Sequence, residues 1–230
     1  MPRVNVWRCV TNAGMSNKPV KSAKPGKPAP RYRRYEAGER KQQLIDAAIA
    51  CLAEGGMAAF TIDQVCRRAG ISRGLISHHF KGKEALLAAA YDAMTVYLDD
   101  LSARGITHPG DDPAAALRET IEANFATNLT NQPTIKAWLA VWGEVAGNAE
   151  LKAVHRKRYD AYRTNLTGAI AAVAKSRGRE VDARQLAMMF IALIDGLWLE
   201  WCLDPTALPQ DEAKAACYAL LEPQLGSLRG

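Results

Sequence analysis

The sequence predicts an all-α protein, and three observations support this prediction. From Glu39 onward apolar residues recur at a spacing of about 3.6 residues, which is the period of an amphipathic helix. No segment alternates between apolar and polar residues over the length of a strand. The composition, 48% hydrophobic and 23% charged over 230 residues, is typical of a soluble globular chain with enough length for one or two domains.

The first three helices are expected close together in the chain, at about 39–54, 61–69 and 72–78. The first ends at Gly55-Gly56. In the second, Thr61 and Gln64 have the spacing of a capping box. Ser72 can cap the third helix, which is short.

Six further helices follow, separated by segments that contain Gly, Pro or Asn. They are expected at about 83–103, 112–130, 133–146, 149–177, 182–203 and 209–225. The unit from 35 to 82, the head, is too short to bury much apolar surface alone. The helix over 83–103 must therefore join it to residues 83–230, the body, so that head and body are mechanically coupled.

A basic segment precedes the helices. Residues 1–34 hold nine Lys or Arg and no acid, so this segment carries +9 and the rest of the chain −3 against a total of +6. It is rich in Pro, Lys, Ser and Ala and has no hydrophobic period, which predicts a disordered tail. Such a tail could add phosphate contacts beside a DNA-binding head. It could equally be a solubilising tail. A further alternative is that the true start of the protein is Met15 or a later codon.

Membrane, secreted and enzymatic classes are disfavoured. No apolar run reaches about 18 residues and no secretory signal is present, so we expect a cytoplasmic location. The five cysteines are widely spaced without a CxxC pair, which favours buried thiols over disulfides or zinc. No Ser-His-Asp set, Cys-His pair or Gly-rich phosphate loop is visible, so we expect no catalysis, metal or cofactor. His155 lies in HRKRY, a basic stretch typical of a solvated helix face.

The second and third helices, with the tight turn at Gly70 between them, have the pattern of a helix-turn-helix. In that motif the start of the second helix enters the major groove of double-stranded DNA. Arg73 can bond a guanine through two N–H groups, and Gly74 lets the backbone approach the DNA closely. Residues 35–82 are therefore predicted to be a DNA-binding domain.

Other polar residues around this motif are candidates for phosphate or base-edge contact: Thr61, Gln64, Ser72, Ser77, His78, His79 and Lys83. The adjacent histidines do not suit a metal site, because neighbouring residues on a helix point about 100° apart. They can donate to phosphates, or they are ordinary surface histidines.

The body carries two tryptophan pairs, Trp138 with Trp142 and Trp198 with Trp201, each at a spacing that shares a helix face. Asp195 precedes Trp198 by three residues and falls on roughly the same face. Aromatic faces beside a carboxylate can hold a quaternary ammonium ion, which has no N–H and is bound by cation–π attraction. Core packing or a subunit interface would use paired tryptophans as well.

The run TIDQVCRRAGISRGLISHHFKGKEALL, residues 61–87, resembles the DNA-binding head of TetR-family repressors. Most of that family carries Tyr at the position of Ser77. The sequence Ser77-His78-His79-Phe80 is instead similar to the variant of BetI-type repressors, which has Tyr at the position of His79. The body segments IKAWLAVW and IALIDGLWL also resemble BetI-type sequences.

This resemblance implies a TetR-like fold whose body, residues 83–230, binds a ligand and dimerises. It implies a homodimer formed through the last two helices. Trp198 and Trp201 could then line either the pocket or the dimer interface. It also implies a palindromic operator, choline as effector, and control of the genes that convert choline to glycine betaine. The alternative is a TetR-family repressor that responds to a different, more apolar small molecule.

Overall fold

The structure is a computed structural model that describes residues 37–107, 112–125, 132–204 and 206–229, without the side chains of residues 37, 97–107, 132 and 202. The described residues form nine helices and no strand, which confirms the all-α prediction. The basic segment 1–34 lies outside the described residues. No helix among the described residues is long and apolar enough to cross a bilayer.

The helices follow the predicted order. They are α1 Ala37–Ala59, α2 Ile62–Ala69, α3 Arg73–His79, α4 Lys83–Thr107, α5 Pro113–Asn124, α6 Gln132–Val145, α7 Ala149–Ser176, α8 Ala183–Leu203 and α9 Gln210–Leu225. The predicted helix over 112–130 is shorter in the structure, because it ends at Asn124 with buried Phe125 as its C-cap. Residues 126–131 lie outside the described residues.

Glycines and caps shape the head. Gly55 and Gly56 are non-helical, and Gly56 has a φ of 61°, which an L side chain rarely adopts, so the regular helix is interrupted where the sequence predicted its end, and a further turn reaches Ala59. Thr61 caps α2 as predicted, since its Oγ1 accepts from the backbone N–H of Gln64 at 3.3 Å. Gly70 closes α2 in the left-handed conformation. Ser72 occupies the N-cap position of α3, but its side chain makes no capping hydrogen bond.

One apolar core runs from the head into the body. Leu44, Ile49 and Val65 of the head and Leu86 of α4 are buried in the same cluster as the body residues. This agrees with the expectation that α4 joins the two parts.

The structure adds a second connection between head and body, from α1 to α6. The Lys136 ammonium lies 3.3 Å from the backbone oxygen of Glu54. A Cβ added at Gly56 would lie 3.8 Å from the Ala140 Cβ, so the two helices pack closely at the kink. The head is therefore attached to the body at two helices.

Candidate effector cavity and DNA-contacting face

The body encloses a cavity between helices α4 to α8. Its volume, counted as the positions that the centre of a water-sized sphere can occupy, is about 70 Å³. This is enough for several waters or a small ligand. Ten described residues line it: Thr95, Asn124, Trp138, Trp142, Arg158, Tyr159, Tyr162, Ile194, Asp195 and Trp198. Four of the five residues expected to bind a ligand are among them.

Trp138 stands at the centre of the aromatic wall. Its ring centroid lies 5.9 Å from that of Trp142 at an angle of 60°, and 6.3 Å from that of Trp198 at 85°. Tyr91 of α4 lies behind it at 5.8 Å, nearly perpendicular. Trp138 and Trp198 are almost completely buried, at 2% and 4% exposure, so the protein fixes their rings before any ligand arrives. The wall presents several aromatic surfaces to one small volume.

Asp195 is the one carboxylate among the described residues that line the cavity. It lies on α8 one turn before Trp198, and it accepts a hydrogen bond from the Tyr159 hydroxyl at 3.2 Å. Burial raises the pKa of Asp195 to about 6, and the bond from Tyr159 opposes this shift. At neutral pH the side chain is mainly ionised and costly to bury, so a cation in the cavity would stabilise it.

The cationic side chain in the wall already has an acidic partner. Arg158 Nε and Nη2 lie 2.8 and 2.7 Å from Asp92 Oδ1 of α4. This pair balances the guanidinium charge next to the cavity. The shift in the pKa of Asp195 has burial and the Tyr159 hydroxyl as its causes, and the Arg158 charge is not among them.

Trp201, the fifth predicted ligand residue, does not line the cavity. It is buried against Phe125, with ring centroids 5.3 Å apart at 82°. Its Nε1 donates to the backbone oxygen of Leu208 at 2.5 Å, which ties α8 to the segment before α9. In this subunit the contacts of Trp201 are those of a core residue.

The interpretation of His155 as part of a solvated face was wrong. Its Nδ1 lies 2.8 Å from the Tyr91 hydroxyl, and its ring packs on Tyr159 at 4.1 Å between centroids. Burial lowers the pKa of this histidine. His155 therefore belongs to the layer behind the cavity, where it connects α7 to α4.

The sequence interpretation also missed the α7 wall itself, which consists of Arg158, Tyr159 and Tyr162. With His155 these residues have the spacing i, i+3, i+4 and i+7, which defines one helix face. That spacing was the available signal. The surrounding charges concealed it, because HRKRYDAYR has the composition of an exposed helix.

The predicted DNA-contacting residues cluster at α3 and at the ends of its neighbours. Ser72, Arg73, Gly74, Ser77 and His78 are exposed. The Arg73 side chain is 71% exposed and pairs with Asp63 of α2. The exposed side of α3 is therefore polar and open to solvent.

The other DNA-contact candidates are partly engaged within the head. Thr61 and Gln64 are half-buried at the start of α2, where Thr61 acts as the cap. His79 is half-buried, with its ring 4.9 Å from that of His78. Lys83, the first residue of α4, is exposed with its ammonium 5.4 Å from the Phe60 ring centroid. No group of His, Cys, Asp and Glu in the described part of the chain could hold a metal ion.

Comparison with known proteins places this architecture in a family. Residues 44–90 match the sequence profile of bacterial regulatory proteins of the TetR family, and residues 113–226 match that of the BetI-type transcriptional repressor C-terminal domain. The HTH-type transcriptional regulator BetI of Serratia proteamaculans (strain 568) is 35% identical over 177 residues, which cover 76% of this chain and 87% of that protein.

The chain belongs to the TetR family. Its helices superpose on a transcriptional regulator from Pseudomonas aeruginosa PAO1 with a TM-score of 0.74 and 35% identity, covering 83% of this chain and 92% of the other. A regulator from Saccharomonospora viridis, solved in complex with choline, has a TM-score of 0.66 at 21% identity over 80% of this chain and 96% of that one. The latter shows the common fold.

Within the TetR family the chain is a BetI-type transcriptional repressor, a regulator and not an enzyme. The TetR-type match covers α2, α3 and most of α1, and the BetI-type match covers α5 to α9. The α4 helix connects the two. It carries Tyr91, Asp92 and Thr95, which contact α7 or line the cavity.

Proposed function

We propose that this TetR-family repressor controls the genes that convert choline to glycine betaine and that choline, or a related quaternary ammonium ion, binds in the cavity. The observation that carries the proposal is the position of Asp195, a half-buried carboxylate that shares a small cavity with Trp138, Trp142 and Trp198. The BetI-type match of residues 113–226 supports the same ligand class.

The chemistry of a quaternary ammonium ion fits this wall. Its methyl groups spread the positive charge and donate no strong hydrogen bond, so recognition relies on aromatic faces and an unpaired negative charge. Each desolvated cation–π contact contributes up to about 2 kcal/mol. An uncharged ligand would cover the half-buried Asp195 carboxylate without supplying a counter-charge, which disfavours a purely apolar effector.

The structure with bound choline from Saccharomonospora viridis adds support at the level of the fold. That protein shares the fold of the present chain and binds choline. We propose that the residues that bind choline in the present chain are Trp138, Trp142, Asp195 and Trp198. Tyr159 joins this set because it lines the cavity and donates to Asp195.

For the DNA, we propose that α3 enters the major groove of a palindromic operator. Arg73 contacts a base, and Gly74 permits close approach of the backbone. Contacts to the DNA backbone come from residues on the exposed side, which are Ser72, Ser77, His78 and Lys83. Residues at the edge of that side contribute as well, and they are Thr61, Gln64 and His79.

For the assembly, we propose a homodimer formed by α8 and α9. One side of α8 exposes Met188, Met189, Leu199 and Leu203, with Leu203 72% exposed. Large apolar side chains along one helix face are typical of a surface that a partner covers. A second copy would cover them and place two heads on two half-sites.

For regulation, we propose that the effector changes the position of α4. The cavity contacts this helix through Thr95, and α7 is tied to it through the His155–Tyr91 and Arg158–Asp92 contacts. An effector changes DNA binding only if it binds the two conformations unequally.

Paired ligands test the proposal. Tryptophan fluorescence and calorimetry are measured with choline and with 3,3-dimethyl-1-butanol, which has the same shape without the charge. We expect choline to bind at least tenfold more tightly and to release the protein from DNA upstream of its own gene in a gel shift. Equal binding of the neutral analogue would instead favour an apolar effector. The absence of any shifted band would count against this DNA target.

A further inference from the structure

Asp63 and Arg73 form an ion pair that joins α2 to α3 on the exposed side of the head. Asp63 lies in the first turn of α2, and Arg73 is the first residue of α3. The two side chains remain 51% and 71% exposed, so the pair is open to solvent at the start of α3, the helix that we propose enters the groove.

Buried Cys66 gives a second indication of this arrangement. Burial is the main cause of its raised pKa, which Asp63 raises further and Arg73 lowers. Both charges therefore lie near the same thiol, one helical turn after Asp63. The turn that closes at Gly70 brings the start of α3 back toward the start of α2.

A carboxylate at this position opposes DNA binding in general, because it lies close to a polyanion. It also restricts an arginine that would otherwise sample many rotamers, and ordering such a side chain on binding costs entropy. A guanidinium has five N–H groups, so one carboxylate leaves donors available for the acceptor edge of guanine.

We infer that Asp63 is a specificity-determining residue that orients Arg73 toward one base of the operator. The inference rests on the proposed base contact of Arg73. It assigns Asp63 two effects of opposite sign: it lowers the affinity for DNA of any sequence, and it raises the preference for the operator.

The experiment uses the full chain. A pool of random-sequence duplexes is first selected on the unmodified protein to obtain a preferred duplex. Dissociation constants are then measured at one salt concentration for that duplex, for a scrambled duplex and for all single-base variants. The proteins compared are the unmodified chain, Asp63→Asn, Arg73→Ala and the double variant.

Asp63→Asn is expected to strengthen binding to the scrambled duplex about twofold to fivefold, because one negative charge is removed. It is expected to lower the preference for the selected duplex by about fivefold to tenfold, at one base position in each half-site. In the Arg73→Ala background the same substitution should lower the preference no further, because both changes remove one contact.

Glu54→Gln is the matched control, since Glu54 forms another ion pair of the head, with Arg68, and the same charge is lost. It should leave base preference unchanged.

The following outcomes would overturn the inference or its basis. If Asp63→Asn strengthens binding to both duplexes equally, the effect of Asp63 is simple repulsion. If it weakens binding to both equally, the role of Asp63 is structural. If Arg73→Ala lowers the preference and Asp63→Asn does not, only this inference fails. If Arg73→Ala keeps the full preference, the proposed base contact fails and this inference fails with it.

Discussion

At the scale of single residues, Asp195 combines partial burial, one hydrogen bond and a position among aromatic rings. Its carboxylate was predicted from sequence because Asp195 and Trp198 are three residues apart on one helix. The Tyr159 hydroxyl that holds it was not predicted. A sequence shows which residues share one helix face, but it does not show which faces of two distant helices meet.

The ionisation of Asp195 predicts a pH dependence of choline binding. Burial raises the pKa of Asp195 to about 6, and a bound cation favours the ionised form. Choline affinity should therefore be nearly constant above about pH 7 and fall as the pH decreases through 6, approaching tenfold per pH unit below that. Calorimetry between pH 5 and 8 measures it.

Asp195→Asn is the control for this titration. It should weaken choline binding by roughly 2 kcal/mol, about thirtyfold, at pH 7.5 and abolish most of the pH dependence. If the variant keeps the same pH profile, another group causes it. His155 is the first candidate, because it lies behind Tyr159 and burial lowers its pKa.

Two buried tryptophans allow a matched comparison of ligand contact and core packing. Trp138→Phe should weaken choline binding about threefold to thirtyfold, because phenylalanine is a poorer cation–π partner and leaves part of the wall empty. Trp201→Phe should leave choline affinity unchanged and lower the melting temperature, since it loses the bond to the Leu208 oxygen. Equal losses of choline affinity in the two variants would contradict the cavity assignment.

At the scale of helices, the sequence predicted all nine helices of the described residues, because apolar periodicity and breakers such as Gly70 determine them locally. The predicted break at Gly55-Gly56 is present, because both glycines are non-helical, and one further turn to Ala59 follows it. The error lies where tertiary contacts decide. The α7 face was taken as solvated because its charged residues outnumber its tyrosines, yet Arg158 is paired with Asp92 and His155 contacts Tyr91.

The contact between α7 and α4 predicts a variant that separates binding from response. Tyr91→Phe removes the hydroxyl that lies 2.8 Å from His155 Nδ1 and keeps the ring that packs on Trp138. Choline affinity should change less than threefold. The factor by which choline weakens operator binding should fall about twofold to thirtyfold. This corresponds to a loss of roughly 0.5–2 kcal/mol of coupling free energy between the two sites.

The measurement for Tyr91→Phe is a DNA titration with and without saturating choline. Thr164→Val on α7 is a suitable control, because its exposed hydroxyl donates within α7, to the Asp160 backbone oxygen at 2.8 Å. An unchanged response in Tyr91→Phe would show that the signal reaches α4 by another contact, with Thr95 and the Arg158–Asp92 pair as the next to test.

At the scale of the whole molecule, α8 contributes both to the cavity and to an adjoining exposed surface. Ile194, Asp195 and Trp198 line the cavity, and Met188, Leu199 and Leu203 are exposed. The same helix would therefore line the effector site and form the proposed dimer surface. In such an arrangement a change at the cavity can also alter how two copies meet, which gives α8 a role beside α4 in the spacing of the two heads.

Charge placed on this exposed face tests the dimer. Met188→Glu puts a carboxylate on a surface where Met188 is 53% exposed, and in a dimer that charge would be buried without a partner. The mass in solution should fall from about twice the chain mass to the 25.0 kDa of one chain. Operator affinity should fall at least tenfold, because a monomer places a single head on one half-site. Choline should still bind, since the cavity lies within one subunit.

Met188→Leu is the control, because it keeps the apolar surface and should behave as the unmodified protein. Light scattering and gel shifts on the same samples compare the three proteins. A Met188→Glu protein that remains dimeric and keeps its operator affinity would place the interface on a different face of the body.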